Sequence, residues 1–347
     1  MLKLTPLLRA TVAILAGLTG TLLLVAPFSG HARGASTDDL LAFVLAEQAK
    51  TCKAVANVQY VVRVTGGDRD LESKDADTYA NRAEVIRQGG KVWASAEVHQ
   101  RSEFDGGARE NHNAYRTVLN EEYAALWGDI SRNQLTISYF ADCGSAMERE
   151  GVAGKGESAA LENPIKRMFG CRSGTIEHLV EWEQQLDPAH RSTWTVEQVE
   201  ENGRERFVIT RTTFEGFVDL TFRVDPAMGF VVTEAVGDLA GDGSYVSVER
   251  TAYEQHGDRW FPSKMHLTTH QKGELVDEAE VEFTDVVFNP SLNQERFTLA
   301  GLDLPEESLV RREKLGGADS LELYRWRNGA LVPTGNFDGA TAIVVGE

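Results

Sequence analysis

The second half of the chain alternates between apolar and polar residues. From Val218 to Asp225, apolar residues occupy every even position and polar residues every odd position. A period of two is typical of a β-strand with one buried face. The same pattern predicts strands over residues 207–214, 217–224, 230–237, 245–253, 264–270 and 275–288. Only short turn sequences such as Lys272-Gly273 separate them, so neighbouring strands are predicted to be antiparallel.

The first half begins with a helix. An apolar stripe at Leu40, Leu41, Val44 and Leu45 predicts a helix from residue 37 to about residue 53, and acidic residues stand at its positive end. The alternation from Val58 to Val64 predicts the first strand. Further strands are predicted over residues 83–87, 91–99, 115–119, 124–126 and 134–139, with a charged turn over residues 68–77.

Residues 140–192 interrupt the strands with a helical insertion. A stretch rich in Gly, Glu, Ser and Ala (144–160) precedes predicted helices over 164–169 and 175–186. These helices and the first one are available to cover the apolar face of the sheet. The predicted fold class is α+β, a strongly curved antiparallel β-sheet (half-barrel) with helices covering its concave face.

The N-terminus has the pattern of a secretory signal. Lys3 and Arg9 make a short positive region, and an uncharged run follows from residue 12 to residue 28. Small residues then predict cleavage after Ala32, with Ala35 as the alternative. A single membrane anchor is a second interpretation, because the run approaches the ~20 residues that span a bilayer. We expect a signal peptide over 1–32, a half-barrel domain over 37–313, a hairpin or tail over 314–347, and a periplasmic or secreted protein.

The net charge limits the classes of partner that the chain can bind. The formal net charge of −18 argues against nucleic acid and against docking on anionic membranes.

There are three cysteines, Cys52, Cys143 and Cys171. In an oxidising compartment Cys143 and Cys171 could pair, but the odd number and the spacing match no disulfide framework and leave this open.

No sequence motif predicts a catalytic site or a metal site. The segment 151–156 lacks the spacing of a phosphate-binding loop, and 170–174 lacks that of a nucleophile elbow. His266 and His270 have the spacing of helical zinc ligands, but on a strand they would lie about 13 Å apart. We therefore predict no catalytic residues, no metal, no cofactor and no enzymatic activity. An exported hydrolase with an unrecognised site is the alternative.

The closing segments carry a family resemblance. Gly257 to Pro262 has the sequence Gly-Asp-Arg-Trp-Phe-Pro and is predicted to form a turn, and Val287-Phe288-Asn289-Pro290 is followed by Phe297-Thr298-Leu299. With the helix and the meander before them, these segments resemble the LolA/LolB-like lipoprotein-carrier superfamily, in the divergent form of exported planctomycete-type proteins. The resemblance covers residues 37–313.

The resemblance implies an eleven-stranded half-barrel whose cavity, under a helical lid, takes a lipid or acyl chain for transport toward the outer membrane. It also implies an arginine on an early strand that holds the lid closed. Arg63, Arg82 and Arg87 are the candidates, and the sequence does not choose among them.

We expect an exported protein that holds a lipid, an acyl chain or another hydrophobic ligand in the concave face. Trp93, Trp127 and Phe222 are the candidates for the cavity wall, with core packing as the alternative role. The alternative function is an envelope sensor or protein-interaction module without lipid transfer, in which the helices and residues 144–160 contact an envelope protein.

Overall fold

The computed structural model of the protein describes residues 36–69, 76–104, 107–128, 134–139, 164–171, 174–238, 241–313 and 322–336. The predicted signal peptide, the 144–160 stretch and Cys143 lie outside these ranges. The predictions that concern them therefore stay predictions.

Strands dominate the described residues. One sheet of sixteen strands contains all of them except the pair β7 and β8. The strands are β1 (Asn57–Arg69), β2 (Ala76–Gln88), β3 (Lys91–Phe104), β4 (Gly107–Leu119), β5 (Tyr123–Gly128), β6 (Gln134–Tyr139), β7 (Gly170–Cys171), β8 (Gly174–Thr175), β9 (Thr193–Glu201), β10 (Arg204–Thr212), β11 (Val218–Asp225), β12 (Val231–Asp238), β13 (Tyr245–His256), β14 (Arg259–Gln271), β15 (Glu274–Phe288), β16 (Leu309–Glu313), β17 (Glu322–Arg327) and β18 (Ala330–Asn336).

The large sheet consists of two meanders joined at β1. Its order is β18-β17-β16-β6-β5-β4-β3-β2-β1-β15-β14-β13-β12-β11-β10-β9. β1 pairs with β2 on one side and with β15 on the other, both antiparallel. The described ladders are antiparallel apart from β16 with β6. The predicted meander of the second half is confirmed, and the pairing of β1 with β15 unites it with the first half.

The helix α1 (Thr37–Val55) is confirmed close to its predicted bounds. Its buried residues Leu41, Val44, Gln48 and Val55 recur at the spacing of one helical face. Gln48 Nε2 donates to the Phe230 carbonyl at 2.9 Å, and Thr51 Oγ1 donates to the Gly229 carbonyl at 2.7 Å. These bonds hold α1 against the turn between β11 and β12.

Two shorter helices, α2 (Pro164–Met168) and α3 (Ile176–Gln184), follow in the insertion. The Thr175 side chain caps α3 by accepting a bond from His178 N at 3.1 Å. Glu183, buried on α3, forms an ion pair with Arg211 of β10 at 3.5 Å and accepts two bonds from Ser192. Arg211 also pairs with Asp219 of β11. The network fixes α3 on the sheet.

The helices lie on the concave face of the sheet, which we call the inner face. It carries Val58, Tyr60 and Val62 of β1. Met168 of α2 and Val55 of α1 complete a buried cluster with this surface, and Leu41 of α1 and Leu179 of α3 complete a second cluster over β9–β12. The α+β half-barrel is therefore the fold of this chain.

The opposite, outer face is also covered over part of β2–β5. After β15 the chain forms two 3₁₀ helices, Gln294–Phe297 and Leu299–Leu302, which we call the outer cap (residues 294–302). Phe297 and Leu302 are buried against Trp93, Trp127 and other residues of the outer face. The chain continues into β16, which pairs with β6 and adds the Asn328-Gly329 hairpin of β17 and β18 to the sheet.

Three predictions need correction. The sheet has sixteen strands among the described residues instead of eleven, in part because β16–β18 extend it. Trp260 and Pro262 belong to β14 and do not lie in a turn. The turn contains only Gly257 and Asp258. The ladder tolerates Pro262, which has no N–H, because the pairing shifts register between Ala252 and Tyr253.

The third correction concerns residues 68–77. The sequence predicts a turn there, but β1 runs to Arg69 and β2 starts at Ala76. Asp68 is exposed and Asp77 is partly buried, so these strand ends lack the apolar alternation that marks a buried strand. The edge strand β9 was not predicted for a similar reason, because it is rich in Glu, Gln and Thr.

Candidate functional site

The candidate site is the inner face of β1–β5, β14 and β15, where the sheet presents small side chains. Ala83 of β2, Ala94 and Ala96 of β3, and Ala124 of β5 are all buried there. They alternate along their strands with outer-face residues, so each methyl group points to the concave side. The floor of the inner face is therefore apolar and lacks bulky side chains at these positions.

A partly buried apolar rim continues this floor. Tyr79, Val98, Tyr115 and Leu267 are partly buried and pack against the inner cluster. Gly66 on β1 makes room for the ring of Tyr79, since a Cβ at Gly66 would come within 2.7 Å of the tyrosine hydroxyl. We call these four residues the rim.

The helices meet the inner face away from most of the rim. α1 contacts β9 and β14, and α2 contacts β12 and β14. Arg167 of α2 is almost fully buried and forms an ion pair with Glu249 of β13, which is itself largely buried. Because a buried charge is stable only when paired, this ion pair anchors α2 over the inner face.

A second buried guanidinium lies on β2. Arg87 is 5% exposed, and its Nε donates to the Tyr60 hydroxyl at 3.1 Å. Arg63 and Arg82, the other two arginines of the early strands, are exposed. Arg87 is thus the one of the three candidates that lies in the inner core. The lid-holding role implied by the resemblance remains a prediction.

Burial raises the pKa of side chains on and near the helices. Desolvation raises the pKa of the Cys52 thiol on α1, and the carboxylate of Glu177 raises it further. Desolvation also raises the pKa of Tyr253, whose hydroxyl donates to the Val232 carbonyl at 2.7 Å. Both effects favour the neutral form, as expected beside an apolar surface.

The structure does not bring the three predicted wall residues together. Trp93 and Trp127 are buried on the outer face under the outer cap; Trp93 Nε1 donates to the Gly301 carbonyl at 2.8 Å, and Arg116 lies over the Trp127 ring. Phe222 is fully buried under α1 and α3, stacked on Trp194 with ring centroids 6.5 Å apart. Their role as a ligand-contacting wall remains a prediction.

Sequence reasoning did not single out the rim. Tyr79 and Val98 are followed, two positions later on the same face, by the polar residues Asn81 and Gln100, so no clear apolar stripe marks them. Leu267 could have been found, because Met265 and Leu267 alternate with His266 and His270. The structure places these histidines on a strand, as predicted.

Two negative findings concern the described ranges alone. Within them, no group of three or more His, Cys, Asp or Glu side chains is placed to hold a metal ion. No helix in the described part of the chain is long and apolar enough to cross a membrane.

Comparison with known proteins found similarity at the level of structure. A domain from Vibrio parahaemolyticus named for outer-membrane lipoprotein sorting aligns with a TM-score of 0.40 and 14% identity, covering 75% of this chain and 97% of that one. A DUF1329 family protein from Desulfovibrio piger aligns at 0.38 and 11%, covering 75% and 98%. A LolA superfamily protein from Nitrosomonas europaea aligns at 0.36 and 10%, covering 75% and 99%.

No protein-family model matches the sequence, and no curated protein sequence matches it. The sequence motifs resemble the LolA/LolB-like superfamily, and the chain is similar in structure to proteins that carry the LolA and lipoprotein-sorting names.

Proposed function

We propose that this chain is an exported protein that binds a lipid, an acyl chain or a similar hydrophobic ligand on the inner face of its half-barrel. The N-terminal signal pattern supports export to the periplasm or beyond. The expected role is carriage of the ligand, without chemical change, in the manner of a lipoprotein carrier.

One observation carries the proposal. The apolar side chains of the rim are only partly buried, and they pack against the cluster that contains the buried alanine floor. A contiguous apolar surface that stays partly accessible beside an apolar core is typical of ligand grooves. An acyl chain lying from the rim toward the floor would remove both surfaces from water.

The first test is extraction of the purified protein with organic solvent, followed by mass spectrometry. The full chain is expressed with its own N-terminus in a bacterial envelope. We expect an acyl lipid or acylated peptide in stoichiometric amount. A protein that carries no lipid and also ignores a fluorescent fatty-acid probe would contradict the proposal and favour the protein-interaction hypothesis.

The second test locates the ligand. Val98→Gln places an amide in the rim, and we expect it to weaken fatty-acid probe binding by about tenfold, equivalent to about 1.4 kcal/mol. Glu97→Gln changes the neighbouring residue on the outer face and serves as the matched control. Fluorescence titration measures both. Equal affinities for the two variants would place the ligand away from the rim.

A further inference from the structure

Two histidines lie in contact on the outer face, toward the turn of the β3–β4 hairpin. His99 and His112 are directly opposite each other in the ladder. Their rings contact edge to face, with centroids 4.2 Å apart and planes at 84°. Both side chains are exposed to solvent. They belong to the face opposite the rim, so a site formed by them is independent of the proposed hydrophobic ligand.

The space beside the pair is open. β2 presents only Thr78 and Ala80 to this part of the outer face, and a hollow of about 350 Å³ lies there, lined by these two residues, both histidines, Arg101 and Glu110 among others. The positive charge of Arg101 is balanced by Glu103 at 2.9 Å and Glu110 at 3.9 Å. The hollow leaves room for water molecules beside the imidazoles.

We propose that His99 and His112 form a two-ligand site for a divalent transition-metal ion such as Zn²⁺ or Ni²⁺. Neutral imidazole is a preferred ligand of both ions. Two nitrogens bound to one tetrahedral Zn²⁺ at 2.0–2.1 Å lie about 3.3 Å apart. Because the two imidazole rings are already in contact, rotation of the side chains can bring one nitrogen of each ring to this separation. Water completes the coordination, and the net charge of −18 favours cation approach.

The test is calorimetric titration of the untagged full chain with ZnCl₂ and NiCl₂ at neutral pH. We expect one metal ion bound per chain. His99→Gln and His112→Gln should each weaken binding by at least about tenfold, because losing a direct ligand costs no less than losing an outer-sphere partner. His266→Gln removes another imidazole from the sheet and should leave affinity unchanged.

A second readout separates binding from altered folding. Zn²⁺ should raise the thermal midpoint of the wild-type chain and of His266→Gln, but not that of the His99→Gln/His112→Gln double variant, because an ion stabilises only a fold that binds it. No binding at millimolar metal, or binding that persists in both single variants, would overturn the proposal. So would an equal loss in His266→Gln.

Discussion

Three aspartates stand side by side at one end of the sheet. Asp68 of β1 is directly opposite Asp77 of β2 and directly opposite Asp277 of β15, so all three share one face. Gln100 Nε2 donates to Asp77 at 3.2 Å. Like charges directly opposite each other destabilise a sheet. The middle residue, Asp68, is exposed and faces a carboxylate on each side.

Replacing Asp68 should therefore stabilise the fold. We expect Asp68→Asn to raise the free energy of unfolding by about 0.2–1 kcal/mol, since it removes two repulsive contacts and keeps the shape of the side chain. Urea denaturation measures the change. Glu215→Gln, in the exposed loop between β10 and β11, controls for the loss of one negative charge. A decrease in stability would mean that Asp68 has a stabilising role that the ladder does not reveal.

At the scale of single residues, residue type alone did not show whether the predicted wall residues line a cavity or pack in the core. A tryptophan at position 93 is equally compatible with a core and with a ligand cavity. Only the pairing of β2, β3 and β4 determines which face it occupies. One residue earlier or later on the strand would have placed it on the inner face.

Among the elements, the C-terminal hairpin is held by an exposed ion pair. Glu307 accepts bonds from Arg327 Nε at 2.6 Å and Nη2 at 2.9 Å. This hydrogen bonding holds the pKa of Glu307 below its ordinary value of 4.5. The carboxylate thus contributes stability above its unfolded pKa, and the contribution is lost as pH falls through the lower folded pKa.

The hairpin should loosen in acid. We expect amide protection in β17 of the wild-type chain to decrease as the pH falls below the ordinary glutamate pKa of 4.5 and through the lower folded pKa of Glu307. In Glu307→Gln the part of this decrease that depends on the carboxylate should be absent, with lower protection already near neutral pH. Hydrogen exchange followed by mass spectrometry measures both. An identical pH dependence in the two proteins would show that the pair does not hold the hairpin.

For the molecule as a whole, part of the first half of the sheet is buried on both faces. Val55 of α1 and Met168 of α2 pack on the inner cluster, and the outer cap covers part of the outer face, with Phe297 fully buried among Trp93, Trp127 and their neighbours. The outer cap joins residues near position 300 to strands formed near position 100, and Asn120 Nδ2 donates to the Phe297 carbonyl at 3.0 Å. The cap therefore contributes to the stability of the whole sheet.

Removing the Phe297 ring should destabilise the protein globally. We expect Phe297→Ala to lower the free energy of unfolding by about 3–5 kcal/mol, the usual cost of a cavity left by a buried aromatic ring. Phe104→Ala, at a site that is 47% exposed, is the matched control and should cost far less. Chemical denaturation measures both. Similar small losses would mean that the cap packs loosely on the sheet.

The sequence by itself determined the strands β10–β15. The strict alternation from Val218 to Asp225 and the short turns between strands leave an antiparallel meander as the simplest solution, because a period of two and tight connections are local properties. The same holds for α1, whose apolar stripe and acidic first turn are contained in one segment.

Only the tertiary structure decided which residues meet across the chain. The pairing of β1 with β15, the outer cap over Trp93 and the rim all join segments that are far apart in sequence. The same limit applies at short range to His99 and His112. They lie thirteen positions apart in the sequence, and only the register of the β3–β4 hairpin places them directly opposite each other. Packing and register depend on long-range contacts, and a local pattern of apolar residues carries no information about its partner.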